Sequence, residues 1–189
     1  MGYKLTSLIN LPIDDTISIY VFSIGDELWE GGLGEVVHKN FDNIAREIGS
    51  NAIIVGALTD VFHQEVVQKY LGVHYKELKN ELPALLITDT HPEQLNSKSM
   101  RVLIPLRKAH EIYPIIDNFL SDLAAFARGE SDDLLNQLEK GLNLSGIAGD
   151  IVEFSFPIVP SVLSVNLNKA FKHLKSYWNK NNKNSQGHR

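Results

Sequence analysis

Glu81-Leu82-Pro83-Ala84-Leu85-Leu86-Ile87-Thr88 (ELPALLIT) is the stretch whose reading decides the fold. Proline has no N–H to give to a sheet ladder, so Pro83 belongs at the head of a strand rather than inside it. The apolar run behind it, Ala84–Thr88, is that strand. Two further runs upstream, Ile17–Ser23 (ISIYVFS) and Ala52–Leu58 (AIIVGAL), are β-branched or aromatic with few polar positions and read as buried strands. Between them Leu33, Val36 or Val37, Phe41, Ile44, Ala45 and Ile48 recur at helical spacing, with Gly49 as a stop. Asp60 caps a second helix carrying Val61, Phe62, Val66, Val67, Tyr70 and Leu71, which stops at Gly72. Residues 73–82 are polar and allow an extra helical turn, whereas residues 1–16 show no strong period.

Downstream of the polar loop Asp89–Ser99, Met100–Leu106 (MRVLIPL) reads as a fourth strand, with Pro105 marking its end or an edge position. One helix follows over Ala109–Arg128, with Pro114 tolerated in its first turns, and a short helix over Asp132–Lys140. The order is βαβαββα, an α/β sheet flanked by helices. After Gly141 the composition changes. Residues 142–165 are apolar and punctuated by Gly146, Gly149, Pro157 and Pro160, with a short strand at Ile151–Phe156. Asn166–Trp178 is an amphipathic helix with Leu167, Ala170, Phe171, Leu174 and Trp178 on one face, and residues 179–189 are polar with the composition of a disordered tail. The expected division is therefore residues 1–141 as one α/β domain and residues 142–189 as a C-terminal helical extension.

Composition bounds the function. Of 189 residues, 43% are hydrophobic and 22% charged, as in globular proteins. There is no cysteine, which excludes disulfides, thiolate metal sites and all thiol chemistry. No uncharged apolar run approaches the length of a membrane span, and Met1–Asp15 lacks the basic start and apolar core of a secretory signal, so a cytoplasmic protein is expected. The net charge of −5 is unevenly spread. Residues 1–153 hold all 23 acids and 12 of the 18 bases, a net of −11; residues 154–189 hold six bases and no acid. An acidic body repels nucleic acid, and no aromatic strand platform invites it.

The chain resembles the thioredoxin-like fold over about residues 15–128. Ile17–Ser23 leads through a short loop into a long helix. Gln68-Lys69-Tyr70-Leu71-Gly72-Val73 looks like the passage before the family's third strand, and Glu81–Thr88 looks like its cis-proline and the apolar strand behind it. The insertion at 74–81 departs from the family pattern. The segment matching the family's Trp-Cys-x-x-Cys is Glu30-Gly31-Gly32-Leu33-Gly34, so both cysteine positions, Gly31 and Gly34, are glycine. Glycine offers no nucleophile, and disulfide exchange, peroxidase and thiol-transfer activities are rejected. What the resemblance leaves is a groove. In the family, main chain near the cis-proline pairs with an extended peptide or a tripeptide thiol. Here Leu82, Pro83 and the turn Gly31–Gly32–Gly34 would border it. No base lies between Lys4 and Lys39 to meet a carboxylate, which favours a protein or peptide partner over glutathione.

Other candidates are weaker. Gly31–Gly34 is no P-loop, and Asp26, Glu27, Glu30 and Glu35 around it repel phosphate. Those carboxylates are the basis of an alternative reading as an enzyme, with or without a divalent ion, but they lack EF-hand spacing. The seven histidines form no zinc motif; His38 and His63 are expected on helix surfaces, and His91 in its loop is the one to test. Ser23, in Ser23-Ile24-Gly25-Asp26, has no nucleophile elbow around it and reads as structural. Lys169, Lys172 and Lys175 flank the Leu167–Trp178 stripe, a pattern suited to a partner, a dimer contact or, as a third reading, a membrane surface. The reading that emerges is a redox-inactive protein-binding module without cofactor or metal, using the groove at Pro83 and the basic segment with Lys169, Lys172, Lys175 and Trp178.

Overall fold

The computed structural model describes residues 1–25, 33–72, 82–96, 99, 101–141 and 152–153. Six strands form one mixed sheet: β1 (Gly2–Leu5), β2 (Ile19–Ile24), β3 (Ala52–Ala57), β4 (Ala84–Thr88), β5 (Arg101–Pro105) and β6 (Val152–Glu153). Their order across the sheet is β1-β3-β2-β4-β5-β6. β1, β3 and β2 run parallel, and β4, β5 and β6 alternate antiparallel to their neighbours. The helices are α1 (Leu33–Glu47), α2 (Asp60–Val66), α3 (Leu106–Ile112), α4 (Ile116–Ala127) and α5 (Asp133–Gly141).

The four longest strands alternate between two apolar layers, as the period of two requires. Ile19, Val21, Ile54, Leu85, Ile87, Val102 and Ile104 face a core built with Val37, Phe41, Ile44 and Ile48 of α1 and with residues of α3, α4 and α5. Tyr20, Phe22, Ile24, Ile53, Val55, Leu86 and Leu103 face the other side, packed by Phe62 and Val66 of α2, by Val67 and Tyr70, and by Leu5, Leu8 and Leu11. Both faces are covered, which is why these strands read as continuous apolar runs.

The three strands around ELPALLIT and both first helices lie within a few residues of their expected ranges. The structure corrects four points. Residues 1–16 contribute β1, an edge strand of only four residues, too short to display a period. The helix expected over Ala109–Arg128 is two: Tyr113 stands at φ −117°, ψ 85° after α3, because the residue before a proline is steered out of the α region and Pro114 has no N–H to continue the ladder. The helix begun at Asp60 changes to a π turn over Val67–Leu71, and its N-cap is Thr59 rather than Asp60. His63, expected on a helix surface, is buried. Gly49 ends α1 at φ +92°, where a Cβ would lie 2.8 Å from Cγ of Arg128.

Residues 6–11 strap the second face. Glu65 of α2 accepts from the Ser7 hydroxyl at 2.8 Å and from the Leu8 amide at 2.6 Å. The Thr59 hydroxyl, instead of capping α2, donates to the Thr6 carbonyl at 2.8 Å. Among the described residues no helix is long and apolar enough to cross a membrane. Residues 26–32 of the acidic loop, residues 73–81 with the insertion 74–81, and the expected helix 166–178 lie outside the described residues.

Candidate functional site

Pro83 heads β4, where the sequence placed it, and the Leu82–Pro83 peptide bond is cis. β4 pairs with the end of β2 in the register Ile24↔Ala84, so Gly25, one residue beyond β2, lies against Leu82 and Pro83. Gly25 has φ +94°, a conformation that L side chains rarely adopt, and a Cβ added to it would sit 3.2 Å from both Leu82 Cβ and Pro83 Cα. The close approach and the backbone angle both require glycine here.

Hydrogen bonding sets the chemistry of this corner. The Pro83 carbonyl accepts from the Leu106 amide at 2.9 Å, which ties it to the first residue of α3. Pro83 has no amide to offer. Leu82 is half-buried, its side chain packed on the second core layer, and among the described residues no hydrogen bond engages its N–H or C=O. Among the described residues the corner thus leaves one donor and one acceptor of main chain, two groups that an extended segment can pair with and that cannot themselves act as acid, base or nucleophile.

Ser23 is the nearest polar side chain on β2. It lies between Phe22 and Ile24, so it points to the same face as Ile19 and Val21, and it is 1% exposed. Its hydroxyl has no partner among the described residues, and no described histidine or carboxylate bonds to it. This removes the support a serine nucleophile would need and agrees with a structural serine.

The groups with displaced titration lie elsewhere. Tyr70, at the far end of the second face, donates its hydroxyl to the Thr90 carbonyl at 3.1 Å. Burial holds its phenol far above the ordinary tyrosine range, reinforced by neighbouring Tyr20. Arg101, on β5 opposite Thr88, is buried and donates from Nη2 to the Asn96 carbonyl at 2.9 Å. Burial lowers its guanidinium pKa, and Tyr70 and Asp89 act in the opposite sense. His91 is buried there too. Its Nδ1 accepts from the Glu93 amide at 3.2 Å, which makes Nε2 the donor to the Leu11 carbonyl at 3.2 Å, and its ring meets Tyr20 edge-on at 5.8 Å. The histidine singled out for testing therefore fastens the N-terminal strap to the β4–β5 loop.

Of the expected site residues, Leu82 and Pro83 form the corner just described. Gly34 lies in the first turn of α1. Gly31 and Gly32 lie outside the described residues, as do Lys169, Lys172, Lys175 and Trp178. Among the described residues no three histidine, aspartate or glutamate side chains converge to hold a metal. The sequence reading missed Gly25; its place directly after a strand and before an acidic loop was the available signal. No family model, curated protein or solved structure matches the chain significantly.

Proposed function

We propose that the chain is a redox-inactive, thioredoxin-like binding module that holds an extended segment of a protein partner against Leu82. Several observations support the thioredoxin-like reading: the parallel β1-β3-β2 half of the sheet continued by antiparallel β4 and β5, α1 packed on one face, and Pro83 heading β4 beside the end of β2. The absence of cysteine separates it from the redox members of such a group. The observation that carries the binding reading is the main chain of Leu82, unbonded among the described residues and next to Gly25, in a fold whose neighbouring carbonyl at Pro83 is already occupied.

Main-chain pairing gives affinity without a reactive group, and flanking side chains supply selectivity. The experiment is selection of linear peptides from a displayed random library, followed by titration of the selected peptides against Gly25→Ala. A methyl group at residue 25 crowds Leu82 and Pro83, so the variant is expected to bind at least tenfold more weakly. Failure to select any peptide, or peptides indifferent to the substitution, overturns the proposal.

A further inference from the structure

Strand pairing brings a cation to the corner at Leu82. β5 runs against β4 in the register Ala84↔Pro105, and the next amide, that of Leu106, donates to the Pro83 carbonyl at 2.9 Å. Covalent geometry then holds Cα of Arg107 within about 8 Å of that carbonyl oxygen. Leu106 and Ala109 take the buried face of α3, and Arg107 is exposed. The neighbouring Lys108 is engaged by Glu111 at 3.3 Å, whereas no ion pair holds Arg107 among the described residues. An exposed guanidinium without an acid partner, in a body of net −11, is available to an acid from outside.

We propose that the extended segment held at Leu82 carries a carboxylate, from an aspartate or glutamate side chain or from its own C-terminus, that pairs with Arg107. The inference rests on the reading of the corner as a peptide site and adds what that reading lacks. Main-chain pairing is indifferent to sequence, and a side chain beside it must supply the selectivity. The guanidinium fork offers two parallel N–H donors matched to the two oxygens of a carboxylate. The stretch from Lys4 to Lys39 contains no base to meet one; the β4–β5 register supplies it from the end of β5. On the β2 side the chain continues from Gly25 into Asp26 and Glu27, a sequence that disfavours a second carboxylate there.

The test uses peptides selected on the full chain. Each is synthesised with its acidic residues intact or replaced by Asn or Gln, and with a free or an amidated C-terminus, then titrated against the full chain and against Arg107→Glu. The substitution is expected to weaken the carboxylate-bearing form about tenfold or more and the neutral form by no more than about twofold. The arm in which the difference disappears identifies the carboxylate as side chain or terminus, and retained binding of the neutral form shows the fold intact. Peptides that lose affinity in Gly25→Ala but bind the parent chain and Arg107→Glu alike would overturn this inference and leave the corner standing. Equal weakening of the acidic and neutral forms would also overturn it. Failure to select any peptide would remove the corner reading and this inference together.

Discussion

The two ends of the central strands differ in how their polar groups are used. At the Thr88–Arg101 end, Tyr70, His91 and the Arg101 guanidinium each bond to a main-chain carbonyl, and His91 also accepts an amide. At the Ala84–Ile24 end, the Ser23 hydroxyl has no partner among the described residues, and neither has the main chain of Leu82. The first end is sealed by side chains and acts as a clasp between the N-terminal strap and the β4–β5 loop. The second keeps hydrogen-bonding capacity beside a glycine that cannot be enlarged without crowding. Displaced pKa values often mark functional sites. Here two of them, at Tyr70 and Arg101, lie in the clasp, whereas the described groups of the candidate binding corner are main chain.

Breaking the sealed end should have the largest effect. Tyr70 is fully buried against Phe22 at 5.0 Å between ring centroids, and Tyr70→Ala is expected to cost about 3–5 kcal/mol in chemical denaturation. Two buried phenols, Tyr70 at this end and Tyr113 in the other apolar layer, predict alkaline sensitivity. The Tyr70 phenol and that of Tyr113, buried and bonded to Asp122 at 2.9 Å, are both raised by burial first. In the unfolded chain they ionise near pH 10, while in the folded chain they stay protonated. The unfolded state therefore binds fewer protons, and stability falls as pH rises above about 10, by up to about 1.4 kcal/mol per pH unit for each phenol. Ultraviolet titration should show at least two of the six tyrosines, Tyr70 and Tyr113, ionising only with unfolding.

Effects diminish from there. Glu65→Ala strands the Ser7 hydroxyl and the Leu8 amide and is expected to cost about 1–3 kcal/mol, with faster amide exchange confined to residues 6–11. Ser23→Ala should go the other way, raising stability by about 1 kcal/mol, since it removes a buried hydroxyl with no described partner. Equal losses at both ends would erase the contrast; a destabilising Ser23→Ala would show that its hydroxyl is bonded after all.

Much of the fold was legible because the strands buried on both faces carry dense apolar runs. Ala84–Thr88 matches its expected range residue for residue, since proline on one side and polar loop on the other leave no freedom in its limits. What was not legible depended on partners distant in sequence. β1 gains its place from pairing with β3 some fifty residues away, and residues 1–16 show no strong period that would announce it. His63 was misplaced because a histidine at the start of a helix has no sequence mark of burial. Leu82 and Pro83 were singled out through the resemblance, whereas the constraint at Gly25 follows from the register between β2 and β4, which no local pattern encodes.

Amide hydrogen exchange at Leu82 tests the account most directly. The account predicts that in the free protein this amide exchanges within about tenfold of an unstructured peptide, since nothing described bonds it, and that saturation with a selected peptide slows it at least tenfold. An amide already protected in the free protein, or one that a bound peptide leaves unchanged, would contradict it.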